Sequence, residues 1–140
     1  MRVETSKSIL SVFGIVAIVY GVFELLFGFL ITAGGRMLAS GRISAEGGIT
    51  SRTVLMAGSV FLLLGVFAIV EGVLSRRAVK DMSGVQAVYV MAIISLGLAV
   101  SSLVSVIACS GSPASSLVSV VINVLLVLAA DNLRKDLVTA

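Results

Sequence analysis

The side chains in this chain whose types could do chemistry sit inside apolar runs rather than in polar motifs. Glu24 lies in the run Ile9–Ala33, on a line with Gly14, Ala17, Gly21 and Gly28, and the steps along that line are three, four, three and four. Such spacing puts all five residues on one face of an α-helix. A carboxyl on the packed face of an apolar helix is kept from water, which penalises its charged form. An ionisable group inside a membrane span is a functional candidate by default. Tyr20 precedes Glu24 by one turn, so its hydroxyl is placed to assist. Asn123 and Ser102, in two later runs, lie at nearly the same distance from the predicted outer ends of their helices as Glu24 does, at about 1.5 Å of rise per residue. Glu24, Asn123 and Ser102 are therefore expected to form one polar layer that binds a cation, relays a proton or satisfies itself. Glu71 reads differently. It falls about 100° round the helix from Gly72 and five residues before Arg76, which directs it toward the inner head-group region beside the arginines.

Other chemistries find no residues to carry them. The chain has one cysteine, Cys109, and no histidine, so neither an intramolecular disulfide nor a cysteine–histidine metal cluster can be built. Cys109 reads as a small packing residue. There is no phosphate-binding glycine loop, no nucleophile paired with a base, no pair of carboxylates at one level and no aromatic stacking platform. The expectation is a protein that is not an enzyme, needs no cofactor and does not bind nucleic acid.

The elements that position these residues follow from composition. Of 140 residues, 59% are hydrophobic and only 12% charged, against about one quarter charged in a soluble domain. That leaves too little polar surface to coat a water-soluble globule, so lipid is the expected solvent. Four apolar runs stand out, at about 9–33, 54–74, 85–108 and 114–130. They match the ~20 residues that cross a ~30 Å hydrocarbon core, the last with little tilt. Backbone groups in lipid must be satisfied internally, and these runs lack the alternation of a membrane barrel, so each is predicted as a helix. The first run is longer than the about 7–15 residues of a signal h-region and reads as a span. The fold class predicted is all-α: a single integral-membrane domain, residues 1–140, forming a four-helix transmembrane bundle.

Charge gives the orientation. Arg2, Lys7, Arg76, Arg77, Lys80, Arg134 and Lys135 fall at one end of such a bundle, and only Arg36, Arg42 and Arg52 at the other. The excess of basic residues marks the cytoplasmic side, so both termini are expected there, in the cell membrane, with the basic residues meeting anionic head groups. The outer loop 34–52 is glycine-rich and polar, and is expected to be a flexible connector. Ser6 and Ser8 are expected as helix caps.

Small residues predict the packing. The second run repeats the stripe of the first as Gly58, Phe61, Gly65, Ala68 and Gly72, and the words Gly21-Val22-Phe23 and Gly65-Val66-Phe67 match. Convergence on close packing explains the likeness as simply as duplication does. Helices in lipid associate through close contact and hydrogen bonds, which small residues permit. Gly14, Ala17, Gly21, Gly28, Gly58, Gly65, Ala68 and Gly72 are therefore expected to be buried between helices, in a left-handed bundle with crossings of about +20°. Phe23, Leu26 and Leu30 lie on the far side of the first helix, toward lipid.

Four short helices with a glutamate in the first resemble the small multidrug resistance transporters. That resemblance implies proton exchange at Glu24 in a dimer. The chain departs from that pattern in having no tryptophan, no proline within a helix and a long outer loop. The function expected first is that of a structural or accessory membrane protein that packs against its own copies or a larger membrane partner. A small proton- or cation-coupled transporter or channel using Glu24 is the alternative, and a pore-forming lysis protein a third reading.

Overall fold

The structure is a computed structural model that describes residues 2–44, 46–108 and 111–139. Cys109 lies outside them. Four α-helices follow one another: α1 (Val3–Ala39), α2 (Ser51–Lys80), α3 (Val85–Ala108) and α4 (Ala114–Thr139), with a one-turn 3₁₀ helix at Met82–Gly84. There is no strand among the described residues. All four helices are long and apolar enough to cross a membrane.

The α3 bounds are those the hydropathy gives, whereas α1, α2 and α4 overrun the apolar runs at their charged ends. The reason is physical: hydropathy marks where lipid contact ends, while a helix continues as long as its backbone bonds and side-chain packing hold. Ser6 is thus inside α1 and wholly buried, not a cap. Gly34 and Gly35, expected in the loop, belong to α1. Helix α1 ends in a Schellman motif. The Arg42 N–H donates to Met37 O at 3.0 Å and the Gly41 N–H to Leu38 O at 3.1 Å. Gly41 has φ +72°, a conformation that favours glycine. Helix α2 opens on Thr50, whose Oγ1 accepts from the Thr53 N–H at 3.2 Å.

Between α2 and α3 the Ser83 N–H donates to Asp81 Oδ1 at 3.1 Å. The Ser83 amide, and then its hydroxyl, hold the Asp81 carboxyl below the ordinary aspartate range. A carboxyl lowered by folding contributes stability above its unfolded value and loses it as pH falls through the folded one. The stability difference between the protein and Asp81→Asn is therefore expected to shrink as a detergent-solubilised sample is acidified through that window. A difference independent of pH, followed by circular dichroism, would contradict the assignment.

Contacts divide the chain into two compact units, residues 17–70 and residues 1–16 with 71–140. In the first, α1 and α2 meet backbone to backbone. A Cβ added to Gly21 would lie 2.7 Å from Gly65 O, and one added to Gly65 would lie 2.8 Å from Gly21 O. A Cβ on Gly58 would meet Thr32, with Gly28 O at 3.2 Å, and one on Gly28 would meet Leu62 at 2.9 Å. The two Gly-Val-Phe words thus cross at the same level of an antiparallel pair. Gly35 extends the heptad by one step and packs on Leu55. Ala17 and Ala68 are half-buried, whereas Phe61 is exposed. Away from the seam the large side chains are outward: Phe29 and Leu30 are each 69% exposed and Leu63 is 71% exposed.

In the second unit, segments of all four helices enclose a core of Leu10, Ala78, Val85, Val88, Ala92, Leu126, Ala129, Ala130 and Leu133. Here too a glycine closes the seam: a Cβ on Gly14 would lie 2.9 Å from Gly72 O. Polar locks flank the core. Asn132 Nδ2 donates to the buried Ser6 hydroxyl at 2.9 Å. The Arg134 guanidinium stacks 4.2 Å from the Tyr89 ring centroid, and Asp131 pairs with both Arg134 and Lys135.

Candidate functional site

The polar residues singled out in the sequence divide between the two units. Glu24 and Tyr20 belong to residues 17–70, and Asn123 and Ser102 to the other unit. Within either unit alone, therefore, the three-residue layer is not assembled. Glu24 keeps its place between Gly21 and Gly28 on α1 and is half-buried. Tyr20 is 61% exposed. Ser102 is exposed. The Asn123 amide is engaged within its own helix, donating to Ser119 O at 2.8 Å.

The carboxyl that the fold buries is Glu71. It is only 7% exposed, and its Oε2 accepts a hydrogen bond of 2.8 Å from Ser95 Oγ on α3. Its other oxygen, Oε1, is buried without a hydrogen-bond partner. This corrects the expectation that Glu71 reaches the head groups beside Arg76. The reason lies in the angular arithmetic. Gly72 turns toward Gly14 of α1, so a residue about 100° round the helix is off the glycine seam but still on a packed side, the one that meets α3. Helix α2 also continues through Arg76 and Arg77 to Lys80, which leaves Glu71 two to three turns inside the helix end.

Secondary structure explains why the two groups meet. The tight connection from Asp81 to Gly84 makes α2 and α3 antiparallel neighbours. Glu71 lies ten residues before Asp81 and Ser95 eleven after Gly84, so the hairpin brings them to one level. Counting outward from the turn is the signal in the sequence that would have paired them. The surrounding side chains are small or apolar: Gly72 and Ser75 on α2 and Ala92 and Ala99 on α3 are buried. Arg76 lays its stem along Gly14 and is itself exposed. Among the described residues the ion pairs are those of Asp131. No group of three or more acidic, cysteine or histidine side chains there is placed to hold a metal ion. A buried carboxyl with one satisfied oxygen can hold a proton or a hydrogen bond.

The chain matches no family model, no curated protein and no solved structure. Its functional reading therefore rests on its own residues.

Proposed function

We propose that this chain is a small multi-spanning membrane protein that acts by association, with its own copies or with a larger membrane protein, and has no catalytic activity. On this reading it crosses the cell membrane four times, with both termini cytoplasmic and the helices crossing in the left-handed sense of a heptad seam. The observation that carries it is the contrast within residues 17–70. The seam is closed at Gly21 and Gly65, while Phe29, Leu30 and Leu63 face outward. Side chains of that kind take lipid or another helix. The test is single-molecule photobleaching of labelled protein in bilayers, at falling protein-to-lipid ratio, alongside mild-detergent co-purification. Dimers or larger species that persist on dilution, or a stoichiometric membrane partner, support the reading. Monomers alone with no partner overturn it.

A second reading is favoured by the half-buried position of Glu24 on the seam face. There the chain is a small proton- or cation-coupled transporter or channel, and Glu24 is its carboxylate. Flux across proteoliposomes that Glu24→Gln abolishes would support it, and flux unchanged by that substitution would remove it.

A further inference from the structure

We propose that Glu71 is a proton-binding group within the spans, and that it carries an exchangeable proton on Oε1 while Ser95 holds Oε2. Three observations lead there. The side chain is nine-tenths buried, Oε2 is already satisfied by a 2.8 Å bond from Ser95, and Oε1 has no partner.

An ionised carboxylate so placed would leave a charge without a counter-ion, which folded chains avoid by neutralising the group. The charged and titratable side chains on the elements of its unit lie elsewhere. On α2, Arg76, Arg77 and Lys80 are exposed, and Arg76 lies against α1. On α1, Glu4 is exposed and Lys7 is half-buried toward the helix start. On α3, Tyr89 stacks under Arg134. On α4, Asp131 pairs with Arg134 and Lys135, and Asp136 is exposed. A metal cation is the more demanding occupant, because it needs several oxygens converging on one point. A proton needs only the one oxygen. Ser95 is placed to donate to Oε2, so on this proposal Oε2 keeps carbonyl character and Oε1 carries the proton.

The experiment is infrared spectroscopy of the full chain in lipid, in water and in D₂O, comparing the protein with Glu71→Gln, Glu24→Gln and Ser95→Ala. The protein is expected to show the carbonyl stretch of a protonated carboxylic acid. That band should be lost in Glu71→Gln and retained in Glu24→Gln. In D₂O it should move to lower frequency as the proton exchanges. Ser95→Ala should move it to higher frequency, because the hydrogen bond to the carbonyl oxygen is gone. Ser95→Ala keeps the carboxyl, so it tests the assignment even if Glu71→Gln fails to fold. The proposal is overturned by a band that survives Glu71→Gln, by one that Glu24→Gln removes, by one unmoved in D₂O or in Ser95→Ala, or by no such band at neutral pH. Loss of the band on adding sodium or potassium at fixed pH would also overturn it, by making Glu71 a cation-binding carboxylate.

Discussion

Gly65→Ala is expected to destabilise the pairing of α1 with α2 by about 1–3 kcal/mol, the cost of forcing atoms into a filled interface, and Gly65→Leu by more. The added Cβ of alanine would lie 2.8 Å from Gly21 O and 2.9 Å from the Leu25 backbone nitrogen. Backbone cannot rotate away as the end of a flexible side chain can, so α1 has to move. Gly21→Ala meets the mirror-image obstruction, with Gly65 O at 2.7 Å. The controls lie in the same helical context. Gly34 and Gly97 have nothing within 4 Å of an added Cβ. Alanine there is expected to be neutral or to stabilise by up to about 1 kcal/mol through its helix propensity. Reversible unfolding in mixed micelles separates the two classes. Equal effects at Gly65 and Gly97 would mean that the seam is not closed by these glycines. Because Gly21 and Gly65 face each other, the double alanine variant should depart from additivity.

Leu133→Ala is expected to cost about 2–5 kcal/mol, the range for a large aliphatic truncated in a packed core. Leu133 is wholly buried with Leu10, Val85 and Ala129 around it. It also sits beside Asn132, whose amide is bonded to the buried Ser6 hydroxyl, so the surroundings are held and close poorly over the space left behind. Leu63→Ala removes the same atoms from a side chain that is 71% exposed. In a bilayer, acyl chains close over that site, so the change should fall within about 0.5 kcal/mol, as at surfaces generally. The same unfolding assay compares them. A large loss at Leu63 with little at Leu133 would place the core elsewhere.

The parts of this molecule that were legible from sequence are those governed by one helix at a time. Period and length gave four helices. The three-and-four spacing placed Gly14, Gly21 and Gly28 on a buried side and Phe23, Leu26 and Leu30 on an exposed one, as observed. The helix ends were less legible. Hydropathy falls at Arg36, Arg76 and Asp131, but backbone hydrogen bonding and packing do not, and the helices run on. Gly35 shows the cost of reading glycine as loop, since it is the next member of the heptad and packs against Leu55.

The candidate site was the least legible part because it depends on pairs of helices. Matching depths place Glu24, Asn123 and Ser102 at one level, but Glu24 belongs to one compact unit and the other two to the second. Ser102 is exposed and the Asn123 amide bonds within its own helix. Glu71 lies off the glycine stripe, and that position alone directs it to the head groups beside Arg76. A helix with neighbours on two sides buries more than one stripe, and Glu71 occupies the side that meets Ser95.

The most direct test of the account as a whole is the sidedness of its two polar turns. In a Cys109→Ala background, which leaves no native thiol, single cysteines would be placed as Ser44→Cys, in the α1–α2 loop, and Ser83→Cys, in the α2–α3 turn. Both positions are exposed. Intact cells whose outer face is accessible would be treated with a membrane-impermeant maleimide, before and after lysis. The account predicts labelling of the Ser44→Cys variant in intact cells and of the Ser83→Cys variant only after lysis, with the chain retained in the membrane through alkaline carbonate. Labelling of both from the same side, or release of the chain by carbonate, would contradict it.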